Sequence, residues 1–133
     1  MDQKFSVFTK NKINKYNKKI TVDSDKSISH RAYIIASQCL GISKIKALDS
    51  EDVRATINGL KKLGIKIVRK NKIDYIHGTG ISGFKKFKGT INFGNSGTSA
   101  RSFLGILTCY PYPVTITGDA SLKLRPFKRL TNY

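Results

Sequence analysis

Three short stretches of the chain combine small or hydroxylated residues with a nearby cation. The first is DSDKSISHR, residues 23–31. Backbone N–H groups at a helix start, the Ser27 hydroxyl, Lys26 and Arg31 could together hold a phosphate or a carboxylate. The same residues also describe a capped helix with solvated charges. The second is GNSGTSAR, residues 94–101. Gly94 and Gly97 allow close approach of a ligand to the backbone. Asn95, Ser96 and Thr98 add polar side chains, and Arg101 follows one helical turn on. The GxxxxGK[ST] spacing of nucleotide phosphate loops is absent. The third is GDASLKLRP, residues 118–126. Pro126 favours the first turn of a helix, which would put the planar fork of Arg125 at that helix start.

The elements that must position these residues follow from periodicity and capping. Residues 11–18 read as a polar linker and 19–22 as a strand. A helix over 31–40, capped by Ser27 or Ser29 and stopped by Gly41, precedes a strand over 43–48. Ser50 with Glu51 and Asp52 makes a cap and an acidic first turn. Val53, Ile57, Leu60 and Leu63 form one apolar helix face, closed by Gly64. Strands at 65–68 and 73–77 follow, then a Gly- and Lys-rich loop over 78–89. The pattern restarts with a strand at 91–93, a helix capped by Thr98 and carrying Phe103, Leu104 and Leu107, a strand at 113–117, and a loop entering a helix.

The restart has a register of 70 residues. Ser29 meets Ser99, Arg31 meets Arg101, Cys39 meets Cys109, Asp49 meets Asp119 and Leu60 meets Leu130. The chain therefore reads as α/β, with a duplicated unit of about 70 residues. Unit one spans 19–77, and a shortened unit two spans 90–133. Asp49 and Asp119 follow strands, where a role at helix starts is expected rather than a carboxylate pair.

Composition narrows the function without fixing it. The 133 residues carry 25 Lys and Arg against 8 Asp and Glu, a net charge of +17. Such an excess suits a nucleic acid, an anionic membrane surface or an anionic small substrate. It also arises from compositional bias, since 19 of the 25 cations are lysine. No apolar run reaches the roughly 18 residues of a membrane helix. The first residues lack the apolar core of a secretory signal. Cys39 and Cys109 lie in apolar stretches with no metal-binding spacing and read as buried free thiols. A cytoplasmic protein without metal or cofactor is expected.

The trio KSISHR, GNSGTSAR and GDASLKLRP, in this order, resembles the 5-enolpyruvylshikimate-3-phosphate synthase family. The stretch LDSEDVRATINGLKKLGIKI, residues 48–67, resembles that family's second helix and following strand. The likeness runs from Lys19 to Leu130. It implies the enolpyruvyl transferase fold, built of repeated βαβαββ units in two domains with the active site between them. Residues 1–18 would then contribute a strand, near 5–10, and a linker to the other domain, and 19–133 part of one substrate-binding domain.

The resemblance also implies a reaction and its site. The enolpyruvyl group of phosphoenolpyruvate passes to the 5-hydroxyl of shikimate 3-phosphate, and phosphate leaves. Lys26 matches the catalytic lysine that touches both substrates. Ser27 and Arg31 match shikimate 3-phosphate contacts, and Gly97 and Arg125 match phosphoenolpyruvate contacts. Asn95, Thr98 and Arg101 match residues in and behind that pocket. The retained Gly97 implies room for the inhibitor glyphosate. The family's acid/base carboxylates lie in the other domain, so no turnover is expected of these 133 residues alone. Family members are monomers that bind neither nucleic acid nor membrane.

Two other readings stay open. A UDP-N-acetylglucosamine enolpyruvyl transferase shares the fold but carries Lys-Asn where Lys26-Ser27 stands. A basic nucleic-acid-binding module has the charge but no recognised motif or aromatic platform. One departure from the family is Asp23-Ser24 in place of Pro-Gly, which adds a negative charge beside the anion site. Another is Ser102, where many members have Pro.

Overall fold

The computed structural model describes residues 23–127. The expected strands at 5–10 and 19–22, the linker at 11–18 and Leu130 lie outside them. Helix α1 (Lys26–Gln38) leads into strand β1 (Leu40–Ile45), followed by α2 (Glu51–Lys62), β2 (Lys66–Lys70) and β3 (Ile73–Thr79). The second series is β4 (Thr90–Asn92), α3 (Gly97–Ile106), β5 (Thr115–Thr117) and the single-turn α4 (Ala120–Lys123). The mixed helix-and-strand content and its order match the α/β expectation.

Helix α1 starts earlier than its apolar pattern suggests. Its cap is Asp25, whose carboxylate accepts from the Ile28 amide at 2.7 Å. Ser27 and Ser29 are not caps. Ser29 sits inside the first turn, donates to the Asp25 carbonyl and accepts from the Leu48 amide at 3.0 Å. A carboxylate at the cap satisfies the orphan amide and frees Ser29 to tie the helix to the next loop. The helix ends at Gln38, and Gly41 lies inside β1 with φ +93° rather than terminating the helix.

Strand β1 starts at Leu40 because it pairs along its whole length with β3, from Leu40 opposite Thr79 to Ile45 opposite Asp74. Strands β2 and β3 form a hairpin with two central residues, Asn71 and Lys72, at φ 48° and 62°. Positive φ at both positions is the twist that a two-residue hairpin requires. The sheet order is β1-β3-β2, all antiparallel. Helix α2 starts at the expected cap: Ser50 Oγ accepts from the Val53 amide.

The second sheet is a parallel pair, β4 with β5, joined through α3. Ser96, not Thr98, caps α3 and accepts from the Ser99 amide. Asp119 caps α4 by accepting from the Leu122 amide at 2.7 Å. Asp49, its counterpart in the 70-residue register, instead pairs with Arg54 at 2.7 Å.

One apolar cluster joins both series. Tyr33, Val53, Leu60, Leu63 and Ile76 meet Ile91, Phe93, Ala100, Phe103 and Leu122. The seam depends on Gly59, where a Cβ would lie 2.7 Å from the Phe103 ring. Phe103 in turn packs on Phe93 at a centroid distance of 4.7 Å. Below α1, the buried Asp74 accepts from Arg69 at 2.8 and 2.9 Å and from the Tyr33 hydroxyl. The guanidinium beside it holds the Asp74 carboxyl below the usual carboxylate range, and burial pushes the Tyr33 phenol up. Both cysteines are free, as expected, but exposed rather than buried. Cys39 caps the end of α1 and Cys109 follows α3, so each apolar stretch turns outward where its helix stops.

Candidate functional site

Two of the three polar stretches begin helices that meet. Helix α1 supplies Lys26 and Ser27 on its first turn and Arg31 on its second. Helix α3 supplies Gly97, Thr98 and Arg101. Lys26, Arg31, Thr98 and Arg101 are exposed and Ser27 is half-buried. The amides at such helix starts point outward with the positive end of the helix dipole.

Lys26, Arg101 and Arg125 are held, and held differently. Lys26 Nζ lies 2.7 Å from Asp52 Oδ2 at the start of α2. Arg125 Nη2 donates to Asn95 Oδ1 at 2.5 Å. A Cβ at Gly97 would stand 2.7 Å from Arg125 Nη1 and 3.3 Å from Arg101 Nη1. Two guanidinium groups therefore converge on the same glycine. Gly97 has no positive φ, so its role is to leave space rather than to permit a strained backbone. Arg101 also stacks over Phe127 at 5.5 Å, which fixes its fork.

The helix expected to start at Pro126 falls mostly on residues outside the described ones. Arg125 follows α4, which ends at Lys123 with Leu124 as its cap. The Asp119 carboxylate caps the start of α4. The Arg125 amide closes the turn onto the Leu122 carbonyl at 3.1 Å. Its side chain crosses to Asn95 from that point.

Sequence reasoning missed the residues that join the helix starts. His30, Thr56 and Ser99 are fully buried. His30 Nδ1 is 2.7 Å from Thr56 Oγ1, and Thr56 Oγ1 is 2.7 Å from Ser99 Oγ. Ser99 Oγ lies 2.6 Å from the capping Ser96 Oγ and donates to the Asp52 carbonyl at 3.3 Å. Burial lowers the His30 pKa against the opposing pull of Asp52, and Lys26 lowers it further. The Ser29–Ser99 correspondence was the one sequence signal near this network. Among the described residues, no group of three or more His, Cys, Asp or Glu could hold a metal ion. No described helix is long and apolar enough to cross a membrane.

Converging guanidiniums, helix-start amides and a lysine make this a surface suited to small oxyanions. The family model of EPSP synthase (3-phosphoshikimate 1-carboxyvinyltransferase) matches residues 10–132. A 3-phosphoshikimate 1-carboxyvinyltransferase of Sulfurihydrogenibium sp. (strain YO3AOP1) is 42% identical over 123 residues, covering 92% of this chain and 28% of that protein. One from Alkaliphilus oremlandii (strain OhILAs) is 42% identical over 125 residues, covering 93% and 29%. The solved structure of EPSP synthase from Acinetobacter baumannii superimposes with a TM-score of 0.79 at 36% identity, over 85% of this chain and 26% of that one. The chain belongs to the EPSP synthase family, and it spans between a quarter and a third of the length of these relatives.

Proposed function

We propose that these residues form one wall of the cleft in which a 3-phosphoshikimate 1-carboxyvinyltransferase joins phosphoenolpyruvate to shikimate 3-phosphate. The convergence of Arg101 and Arg125 on Gly97 carries this reading. Two forks over a glycine suit the phosphate or carboxylate of phosphoenolpyruvate. Lys26, Ser27 and Arg31 on the neighbouring helix start suit shikimate 3-phosphate, with Lys26 within reach of both substrates. Asn95 orients Arg125, and Thr98 and Arg101 complete the pocket.

The chemistry asked of this wall is electrostatic. Both substrates are anions, and fixed cations offset the repulsion between them before the reacting groups meet. The Lys26 ammonium has three donors and uses one on Asp52, which leaves others for a substrate. The protein works as a monomer in the cytoplasm, without metal or cofactor, on these small anions rather than on nucleic acid. Residues 19–77 and 90–133 serve as two copies of one unit, and 1–18 belongs with the opposite domain.

Calorimetric titration of the 133-residue chain with shikimate 3-phosphate, then with phosphoenolpyruvate, tests the reading. Saturable binding that weakens in Lys26→Met and Arg125→Leu, with no phosphate release, is expected. Binding unchanged by both substitutions would refute it. Preferential, salt-dependent retention on single-stranded DNA would favour the nucleic-acid reading.

A further inference from the structure

Among the described residues, no hydrogen bond or ion pair joins the ligand-binding side chains of the two helix starts that carry the candidate site. The helix starts are joined underneath by a chain of hydrogen bonds through three helices. His30 is on α1, one turn beyond Lys26. Thr56 is on α2. Ser99 is on the first turn of α3, where it meets both the cap Ser96 and the Asp52 carbonyl. Asp52 closes the loop, because its carboxylate holds Lys26 on α1. Moving any one of these three helix starts breaks a bond at another.

The donor inventory of this chain fixes which way it runs. The Asp52 carbonyl only accepts, so the single Ser99 hydroxyl proton goes to it. Ser99 Oγ then accepts from Thr56 and from Ser96. With its proton given to Ser99, Thr56 Oγ1 can only accept from His30, which requires a proton on Nδ1. Nε2 is buried without a partner, and this assignment leaves it as an unprotonated lone pair. The reverse direction would bury an orphaned N–H donor, which native proteins tolerate less well than an unused acceptor.

We propose that His30 is a positioning residue. As the neutral Nδ1–H tautomer it donates to Thr56, and through Thr56 and Ser99 it fixes the first turn of α3, with Gly97 and Thr98, against the first turn of α1, with Lys26 and Ser27. The functional meaning rests on reading these two helix starts as one anion site, but the coupling itself is a property of the three helices.

Replacing His30 distinguishes positioning from mere filling of the core. Asn presents its amide N–H close to the place of Nδ1 and can still donate to Thr56. Leu fills a similar volume and cannot. Amide hydrogen exchange in the 133-residue chain reads the result at Ser99 and Ala100, whose amides bond to Ser96. In His30→Leu these two amides exchange about tenfold faster, the equivalent of one lost hydrogen bond. Amides of β3, including Ile76, stay within about twofold, because local opening need not spread to the sheet. His30→Asn restores the original rates.

An equal rise at α3 and β3 would show general loss of stability and overturn the proposal. So would unchanged rates at Ser99 and Ala100, or failure of Asn to rescue. If His30→Leu does not fold, Thr56→Val removes the same link from α2 and is read by the same amides. The nitrogen NMR shift of Nε2 adds a separate check, since a protonated Nε2 would overturn the tautomer. Titration of the unaltered chain with shikimate 3-phosphate is scored separately. Its failure would remove the functional reading and leave the coupling measured by exchange intact.

Discussion

The Lys26 ammonium lies 2.7 Å from the Asp52 carboxylate, and the backbone carbonyl of the same aspartate takes a hydrogen bond from Ser99. One residue at the start of α2 thus restrains the cation of α1 and the first turn of α3. Replacing its charge separates the two functions. Asp52→Asn keeps the carbonyl bond and releases Lys26. A unit charge near 4 Å from an anion in water contributes about 1 kcal/mol, so inorganic phosphate should bind roughly fivefold more tightly. Titration at low salt, with a Lys26→Met/Asp52→Asn double variant as the reference, measures the effect.

Gly97→Ala tests the convergence of the two arginines. The new methyl would stand 2.7 Å from Arg125 Nη1, so the guanidinium must move and release Asn95. Phosphoenolpyruvate affinity should fall by roughly tenfold, about the contribution of one charge-assisted hydrogen bond. Shikimate 3-phosphate affinity should change little, because its proposed contacts lie on α1. Equal losses for both ligands would count against the division of the site.

Acid should destabilise the protein in two stages. The His30 pKa is lowered in the folded chain, so the unfolded state takes up a proton first as pH falls below 6.5. Stability is full above 6.5 and declines as pH falls toward the lowered folded value, by up to about 1.4 kcal/mol per pH unit. Asp74 is also lowered, and its share is lost only further down, below the ordinary carboxylate value of 3.8. Urea midpoints measured from pH 7.5 to 5 should fall in the original chain and flatten in His30→Asn.

Tyr33→Phe removes one donor from the buried Asp74 and leaves Arg69 in place. The expected cost is about 1–2 kcal/mol, read from denaturant unfolding. Gly59→Ala attacks the other seam. Its methyl would collide with Phe103 and Phe93, and overpacking of this kind costs about 1–3 kcal/mol. Near-neutral outcomes would mean that the rings shift freely.

What was legible in the sequence was local. Ser50 with its acidic turn and the face of Val53, Ile57 and Leu60 set α2, because cap and periodicity act within a few residues. The apolar residues of 73–77 and the polar turn before them were enough to mark β3. Asp25, Ser27 and Ser29 are all competent caps by type, and only the tertiary bond from Leu48 to Ser29 decides between them. The candidate cations were legible as types in a pattern. The joint beneath them was not, because His30, Thr56 and Ser99 are 26 and 43 residues apart and become neighbours only when three helices pack.

The pairing of β1 with β3 has a consequence for the chain as it is made. Leu40 finds its partner at Thr79, 39 residues later, whereas the β2–β3 hairpin closes between neighbours. At ribosomal rates of about 5–20 residues per second, β1 waits roughly 2–8 s for the strand that completes it. Even in the finished fold Leu40 and Ile42 remain exposed. During that interval the nascent chain presents an unpaired strand with unsatisfied backbone groups, the kind of edge on which another chain can pair.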